Sequence, residues 1–315
     1  MPSGGDVIGY NQRQFVDDSP PPNLITLEFI DENTGWLAGR IGLFKTVDAG
    51  ITWQQVGPRI SVLANSPESP IALTMLTHIL YLDFATESTG WAARYDGLIK
   101  TTDAGKTWVL VDYPIRFYQF SFTDEKNGWG FAHDLFIYRS SDGGRTWTRQ
   151  VQGGPVLAVS KNECWAISND LVLHTVDAGA SWSTSRVISS TRLSGQPVVL
   201  GKHVWVKTTR EVFSSNDQGM TWHMILTLSK NDHDINSIAF ADELNGWAAG
   251  PKGAILHTRD GGKSWQKQQA SVGRDLRRIA IINKDVVWIL GDDTLLRTLD
   301  SGDHWTLQEI PVPKL

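Results

Sequence analysis

The chain has one cysteine, no long apolar run and no excess of basic residues, and each absence excludes a class of protein. Because Cys164 has no second cysteine to pair with, an internal disulfide is impossible. No run of about 18 apolar residues occurs, so the sequence predicts no transmembrane helix. The 34 acidic residues outnumber the 29 Lys and Arg residues, giving a formal net charge of −5. That balance argues against nucleic acid as a principal partner, since a phosphate backbone requires a basic surface.

Sequence patterns for catalysis and cofactor binding are also sparse. Neither a phosphate loop nor a dinucleotide-binding glycine pattern is present. No further histidine stands at metal-ligand spacing from the Asp232–Asp234 cluster. We therefore predict no cofactor and no metal site. The first residues lack the basic start and apolar core of a signal peptide, so we expect a cytoplasmic protein unless a targeting segment is missing.

The most prominent feature that the sequence does contain is a repeat. The octapeptide Ser/Thr-x-Asp-x-Gly-x-Ser/Thr/His-Trp, as in Thr101 to Trp108, occurs seven times. Its aspartates are Asp48, Asp103, Asp142, Asp177, Asp217, Asp260 and Asp300. Aspartate can accept hydrogen bonds from the backbone that follows it, and glycine two positions later can adopt a positive φ. Each octapeptide therefore predicts the tight turn of a β-hairpin, and seven in register predict a repeat fold.

All 14 tryptophans belong to the same repeat. Seven end the octapeptides, and each of the other seven stands 17 or 18 positions before one of them. A large ring that recurs at fixed spacing is typical of a core position. We therefore interpret every tryptophan as structural, which leaves none as a platform for a ligand.

Four short strands per repeat are typical of a propeller blade. In the first repeat Ile25, Leu27 and Phe29 alternate with polar residues, as in a half-buried strand. The predicted fold is an all-β, seven-bladed β-propeller of four-stranded antiparallel blades, one domain over residues 24–315. The predicted blades span about residues 24–57, 77–112, 115–151, 155–185, 193–226, 235–268 and 275–310.

Two segments stand outside the repeat. Residues 1–23 end in three consecutive prolines before Asn23 and are either a flexible tail or a strand that pairs with the last repeat and closes the ring. The insertion at residues 58–76 is the largest departure from the repeat and could hold one helical turn. Departures from a regular scaffold are where function tends to reside.

The octapeptides resemble Asp-boxes, the bacterial neuraminidase repeats of sialidases, some other glycoside hydrolases, sortilin-type receptors and the photosystem II stability/assembly factor family. The last family is similar in more than the box. Its Asn/Thr-Gly-Trp turn followed by a boxed strand corresponds to Thr34–Trp36 with Leu43–Gly50, and to Asn245–Trp247 with Ile255–Gly262. The resemblance covers roughly residues 24–310. It implies that the boxes join the third and fourth strands of each blade, opposite the usual binding face, and that their aspartates are structural.

The resemblance also implies a function. It suggests a non-enzymatic scaffold that binds a protein or peptide, such as a segment of a photosystem II membrane subunit, through the face opposite the Asp-boxes. We call that side the loop face, because it should carry the loops between second and third strands and those between blades. We expect the scaffold to be a monomer.

A basic patch is the candidate binding site on the loop face. Its arginines come from blades one, two, three and seven, which are neighbours once the ring closes, and the patch consists of Arg40, Arg94, Tyr95, Arg116, Arg277 and Arg278. A local basic patch on an acidic protein suits an acidic partner segment. Scattered, solvated charges are the alternative interpretation of the same residues.

The alternative function is a carbohydrate-active enzyme, of the glycoside hydrolase or sialidase type. Such an enzyme needs two carboxylates about 5 to 9.5 Å apart across a cleft. Loop-face candidates for that pair are Asp96, Asp134, Asp170, Glu211, Asp292 and Asp293. The sialidase Arg-Ile-Pro motif is absent, and its nearest match is Arg59–Ser61. We therefore assign no catalytic residue, and carboxylate geometry separates the two hypotheses.

Overall fold

Seven four-stranded antiparallel sheets, each built from one continuous stretch of chain, make up this computed structural model. It describes residues 24–39, 42–56, 79–94, 97–112, 115–270 and 272–311, with only the backbone for Arg94 and Asp112. The predicted seven-bladed β-propeller is confirmed. The extension at residues 1–23 and the insertion at residues 58–76, with its predicted helical turn, lie outside the described residues.

Within each blade the strands follow chain order from the channel outward. The first four blades contain β1 (Leu24–Phe29), β2 (Gly35–Gly39), β3 (Gly42–Thr46), β4 (Gln54–Val56), β5 (Tyr81–Phe84), β6 (Gly90–Arg94), β7 (Gly97–Thr101), β8 (Val109–Asp112), β9 (Phe117–Phe122), β10 (Gly128–Ala132), β11 (Phe136–Ser140), β12 (Thr148–Gln152), β13 (Val156–Ala158), β14 (Cys164–Ser168), β15 (Leu171–Thr175) and β16 (Ser183–Arg186). The last three contain β17 (Val198–Leu200), β18 (His203–Lys207), β19 (Glu211–Ser215), β20 (His223–Thr227), β21 (Ser237–Phe240), β22 (Gly246–Ala249), β23 (Ile255–Thr258), β24 (Gln266–Gln268), β25 (Leu276–Ile281), β26 (Val287–Gly291), β27 (Leu295–Thr298) and β28 (Thr306–Leu307). A 3-10 helix at Pro251–Gly253 precedes β23, and no helix within the described residues is long and apolar enough to cross a membrane.

The core is divided into seven apolar clusters, each between two neighbouring blades. The second strand of every blade contributes the first tryptophan of its repeat to this core. These seven inner tryptophans are only 0–2% exposed: Trp36, Trp91, Trp129, Trp165, Trp205, Trp247 and Trp288. Rings also stack across junctions, with centroids 3.7 Å apart for Trp36 and Phe84. Because each aromatic ring buries about 150–250 Å² of surface, the junctions between blades contain most of the hydrophobic stabilisation.

The octapeptides form the turns between third and fourth strands. In blade two, Asp103 Oδ1 accepts hydrogen bonds from the Thr101 hydroxyl (2.9 Å) and the Thr107 backbone N–H (2.8 Å). Its Oδ2 accepts one from the Thr107 hydroxyl at 2.6 Å. The pattern recurs at the other six aspartates, with the His304 imidazole replacing the hydroxyl at Asp300. Every box aspartate is therefore occupied in holding its own turn.

The boxes also bind each blade to the one before it. Gly50 has φ +81°, and a Cβ at this position would collide with the ring of Trp288 in blade seven. Gly219 repeats the arrangement, where a Cβ would lie 2.9 Å from Trp165 of blade four. Glycine is needed at these positions for two reasons, its positive φ and the close approach of a neighbouring indole.

Blades seven and one meet at a seam that closes the ring. The backbone N–H of Leu24 donates to the carbonyl of Asp292 at 3.0 Å, and Arg278 Nη1 donates to Thr26 Oγ1 at 2.8 Å. The seventh sheet takes its four strands from residues 276–307. The seam is therefore a contact between two complete sheets.

Candidate functional site

The loop face is distinguished by irregular inner strands. The pairing of the first two strands shifts register at this end in blades one, three and seven. The extra residues are Ile25, Tyr118 and Arg277, one in each bulge. A bulge re-aims side chains and is common beside functional sites. In three of the four blades predicted to carry the binding patch, the first two strands thus depart from regular pairing at the loop face.

The structure places the predicted patch residues in two different environments. Arg116, just before β9, and Arg277 are exposed at the loop face. Arg277 and Arg278 both line the central channel. Arg278 is the less exposed of the two, donates to Thr26 and lies over the Tyr81 ring, its guanidinium carbon 5.1 Å from the ring centroid. Arg40 and Tyr95 lie outside the described residues, as does the side chain of Arg94.

Blade three carries an exposed aromatic stack, which we call the blade-three platform and define as Tyr118, Phe131 and His133. Tyr118 is 49% exposed, and its ring centroid lies 3.8 Å from that of His133, with an angle of 13° between the planes. The Phe131 ring lies 5.5 Å away from Tyr118. Arg116 lines a depression of about 280 Å³ shared with His133 and Tyr138. A flat ring pair beside an arginine can hold a side chain by stacking and by charge.

The loop-face carboxylates are already engaged. Asp170 lies 2.5 Å from Arg186, Asp292 lies 2.7 Å from Arg277, and Asp293 lies 3.3 Å from Arg274. The other candidates are engaged as well: Asp134 accepts from the Tyr138 hydroxyl at 2.7 Å, and Glu211 from the Ser190 backbone N–H at 2.9 Å. Asp96 lies outside the described residues.

A central cavity of about 580 Å³ runs between the inner strands of all seven blades. Polar groups from several blades line it, including Glu28, Asp83, Ser121, Gln196, Ser237 and Arg278. At its rim, the Lys207 ammonium donates to Ser194 Oγ (2.9 Å) and to the Ile235 carbonyl (3.1 Å). Burial lowers the pKa of Lys207 to about 8. Because Lys207 and Ile235 come from blades five and six, this lysine ties two blades together.

Two acids of the channel, Glu28 and Asp83, occupy the same position in blades one and two. Each is paired in its sheet with the inner tryptophan of its own blade. Glu28 Oε2 accepts the Phe84 backbone N–H at 3.1 Å, and Asp83 Oδ2 accepts that of Phe122 at 2.7 Å. Burial, reinforced by the charge of Asp83, raises the pKa of Glu28 well above its usual range. Burial likewise raises the pKa of Asp83 to about 7. These carboxylates both join blades and line the cavity.

Comparison with known proteins assigns the chain to a family. A family model described as photosynthesis system II assembly factor YCF48 matches residues 109–230 and 215–313, which together make up more than half of the chain. The chain belongs to the YCF48 family.

Individual relatives and solved structures can be compared with this chain in more detail. The photosystem II assembly protein Ycf48 of Thermosynechococcus vestitus is 25% identical over 320 residues, covering 92% of this chain and 85% of the relative. A solved structure of YCF48 bound to a D1 peptide has a TM-score of 0.68 at 22% identity, covering 90% of this chain and 96% of that one. The GH74 xyloglucanase from Xanthomonas campestris has a TM-score of 0.67 at 12% identity, covering 90% of this chain and 52% of that one. The curated relatives are assembly factors, whereas the likeness to the xyloglucanase shows the fold alone.

The sequence analysis did not predict the channel acids, Glu28 and Asp83. A signal was present, because the position opposite the inner tryptophan is apolar in most other blades. That position is held by Leu157, Val198, Ala239 and Ala280 in blades four to seven. The bulges, by contrast, cannot be recognised from the alternation of apolar and polar residues.

Proposed function

We propose that this protein is a non-enzymatic assembly scaffold that holds a segment of a partner protein on its loop face. The observation that carries the proposal is the row of bulges in blades seven, one and three. They turn Arg277, Ile25 and Tyr118 out of the regular strand pairing around the mouth of the channel. Membership of the YCF48 family supports the assembly role. A rigid ring with one irregular face suits the holding of a peptide, since little conformational entropy is lost by the scaffold.

The segment should be extended, with acidic and aromatic or proline side chains. Arg116 supplies a positive charge beside the flat surface of the blade-three platform. Arg277 is the second positive group, although its charge is partly offset by Asp292. Arg40, Arg94 and Tyr95 complete the proposed patch. Arg278 supports the patch structurally, because it joins blades seven and one beneath the rim.

The partner we propose is a membrane-protein segment of the kind that the D1 peptide represents in the related YCF48 structure. The engagement of the loop-face carboxylates supports a role without catalysis. Hydrolysis of a glycoside needs one carboxyl group as an acid and a second as a base or nucleophile. Asp170, Asp292 and Asp293 are instead each paired with an arginine, so their oxygens are already engaged.

The test is a binding titration with a fluorescently labelled D1 peptide, followed by anisotropy. We expect Arg116→Ala/Tyr118→Ala to weaken binding by about 10-fold or more, since a central aromatic and an arginine are typical hot spots. The matched control is Arg145→Ala/Ile51→Ala, which removes an exposed arginine and an exposed apolar side chain from the Asp-box face. The control should leave the Kd within about twofold. Equal binding by the two double variants, or no binding by the wild type, would refute the proposed site.

A further inference from the structure

The N-terminal segment of the chain joins the propeller at the loop face, beside the mouth of the central channel. Residues 1–23 lie outside the described residues, but their point of attachment is fixed. Leu24 pairs with Gly39 at the loop-face end of blade one and is only 3% exposed. Its backbone N–H donates to the Asp292 carbonyl across the seam. The seventh sheet has four strands without this segment, so the ring does not need it to be complete.

The last part of this segment has the chemistry that the loop face is proposed to bind. Residues 14–23 read Gln-Phe-Val-Asp-Asp-Ser-Pro-Pro-Pro-Asn. They contain two carboxylates, one aromatic ring and three consecutive prolines, with no basic residue. Consecutive prolines favour an extended chain. An extended, acidic stretch with one aromatic side chain is complementary to a surface that offers an arginine beside a flat ring pair.

The segment is long enough to reach the blade-three platform. Side chains of blade one bond to blade two, and those of blade two to blade three, so the three inner strands are immediate neighbours. Packed sheets lie about 10 Å apart, which places blade three about 20 Å from blade one. At about 3.1 Å per residue, an extended chain from Leu24 to Phe15 covers about 28 Å, and one to Asp17 covers about 22 Å. The aspartates and the phenylalanine therefore have the reach to contact blade three.

Arg116 is available to receive the carboxylates. Its side chain is exposed and lines the depression beside the blade-three platform. Other loop-face arginines are already paired, as Arg277 is with Asp292 at 2.7 Å. Asp134 lines the same depression, but it accepts from the Tyr138 hydroxyl. Among the described residues no carboxylate forms an ion pair with Arg116, so its charge is left for a group from outside them.

We propose that residues 15–23 lie across the loop face of their own propeller, with Asp17 and Asp18 at Arg116 and the Phe15 ring on the blade-three platform. The inference rests on the proposed function, because the segment occupies the surface that the partner is proposed to bind. Segment and partner therefore compete. The site is masked in the free protein and opens when a partner of higher affinity displaces the segment.

Tethering makes a weak contact sufficient for this masking. A short linker holds a segment near its site at an effective concentration on the order of 1 mM. A contact with a dissociation constant of about 0.3 mM is then formed in about three-quarters of the molecules, and it lowers the apparent affinity for a partner about fourfold. Removal of the contact should raise that affinity by the same factor.

The first experiment measures the contact without a partner. A synthetic peptide of residues 14–23, fluorine-labelled on the Phe15 ring, is titrated with full-length Phe15→Ala/Asp18→Lys protein, whose own segment is disabled, and fluorine NMR follows the ring. We expect saturable binding that weakens about fivefold or more when Arg116→Ala is added. Addition of Arg145→Ala, on the Asp-box face, should leave the affinity within about twofold. Absence of saturable binding, or equal weakening by the two arginine substitutions, would overturn the inference.

The second experiment measures competition. The labelled D1 peptide is titrated into wild-type protein and into Phe15→Ala/Asp18→Lys, which should bind it about threefold more tightly or better. The matched control is Tyr10→Ala/Asp6→Lys, which changes charge and ring count equally outside residues 15–23 and should leave the Kd within about twofold. Unchanged affinity in the first variant, or an equal gain in the control, contradicts masking by the segment. A gain in wild-type affinity on dilution alone would assign the contact to a second copy and reject the assignment within one chain.

Together the two experiments separate this inference from the proposed function. If the D1 peptide binds neither protein while the fluorine-labelled segment binds at Arg116, the proposed function fails and the contact within the chain is supported. If the D1 peptide binds at Arg116 while the segment does not bind, the proposed function stands and the masking contact is refuted.

Discussion

The two faces of the propeller follow opposite rules. On the Asp-box face the same hydrogen-bonded turn is made seven times, with the same residue types at the same spacing. On the loop face and in the channel, equivalent positions hold different residues, such as Asp83 in blade two and Ala239 in blade six. The difference shows that the sevenfold repeat builds the ring, while equivalent positions on the loop face and in the channel can differ from blade to blade.

The largest effect should come from removing a ring at a junction. Trp91 is fully buried, stacks on Phe122 with centroids 3.6 Å apart, and donates to the Gly143 carbonyl. We expect Trp91→Ala to lower the free energy of unfolding by about 3–5 kcal/mol, since it leaves a large cavity. Urea denaturation followed by circular dichroism measures this change. A cost below that of any loop-face substitution would show that the junctions do not dominate stability.

Loss of one box aspartate should cost less. Asp103→Ala removes three hydrogen-bond acceptor contacts from a partly exposed turn, and we expect a loss of about 1–2 kcal/mol. The comparison is Asp292→Ala, which breaks an exposed ion pair of the loop face and should cost less than about 1 kcal/mol. Equal costs for the two substitutions in the same urea titration would remove the distinction between the faces.

The dependence of stability on pH should further distinguish the Asp-box face from the channel. Hydrogen bonds from Ser264 and from the His304 backbone hold the pKa values of Asp260 and Asp300 at about 2, below the usual 3.8. Their stabilisation is present above pH 3.8 and is lost as pH falls through about 2. The contribution of Asp83 to stability changes with pH in the opposite direction, because its folded pKa of about 7 lies above 3.8. Its contribution is full below pH 3.8 and is lost as pH rises through 7.

Asp83→Asn isolates the channel part of this profile. The variant should show a smaller decline in unfolding free energy between about pH 4 and pH 8, because only Glu28 remains as a buried channel acid with a raised pKa, while the decline at acid pH persists. Urea midpoints measured across that range provide the readout. An identical neutral limb in wild type and variant would show that Asp83 does not titrate in the folded protein as its burial requires.

The smallest effect on stability is expected at the proposed binding surface. Tyr118 is half exposed, and we expect Tyr118→Ala to change the unfolding free energy by less than about 1 kcal/mol, although it removes a ring proposed to bind the partner. Thermal unfolding beside the peptide titration distinguishes the two effects. A loss as large as that of Trp91→Ala would mean that the blade-three platform is part of the core.

The sequence predicted the architecture because the same physical requirements recur seven times. An aspartate that holds a turn, a glycine that an indole packs against and a tryptophan in the second strand each tolerate few substitutes, as at Asp48, Gly50 and Trp288. The predicted patch was harder to place. Adjacent arginines on a regular strand point to opposite sides, whereas Arg277 and Arg278, at the bulge in blade seven, both line the channel. Bulges arise from strand pairing between distant residues, so a local pattern of alternation does not reveal them.

The acids of the channel show a second limit. A polar residue in an inner strand was compatible with a solvent-facing position, and only the ring brings Glu28, Asp83 and Ser121 from three separate blades to one side of a cavity. Their proximity depends on which blades are neighbours, which the order of repeats implies. The depth of the channel and the hydrogen-bond partners of each oxygen depend on packing, and the order of repeats does not imply that packing.

The seam between blades seven and one has a consequence for folding during synthesis. Its closing contact joins Arg278 to Thr26, 252 positions apart, so the junction cannot form until the last blade has left the ribosome. Blade one is made first, yet its side of the seam, with Leu27, Leu37 and Phe44, is the last apolar surface to be covered. During synthesis that surface is open to other chains, and long-range closure is slow compared with local hairpin formation. The blade-one side of the seam therefore stays exposed throughout synthesis and is an aggregation-prone surface until blade seven covers it.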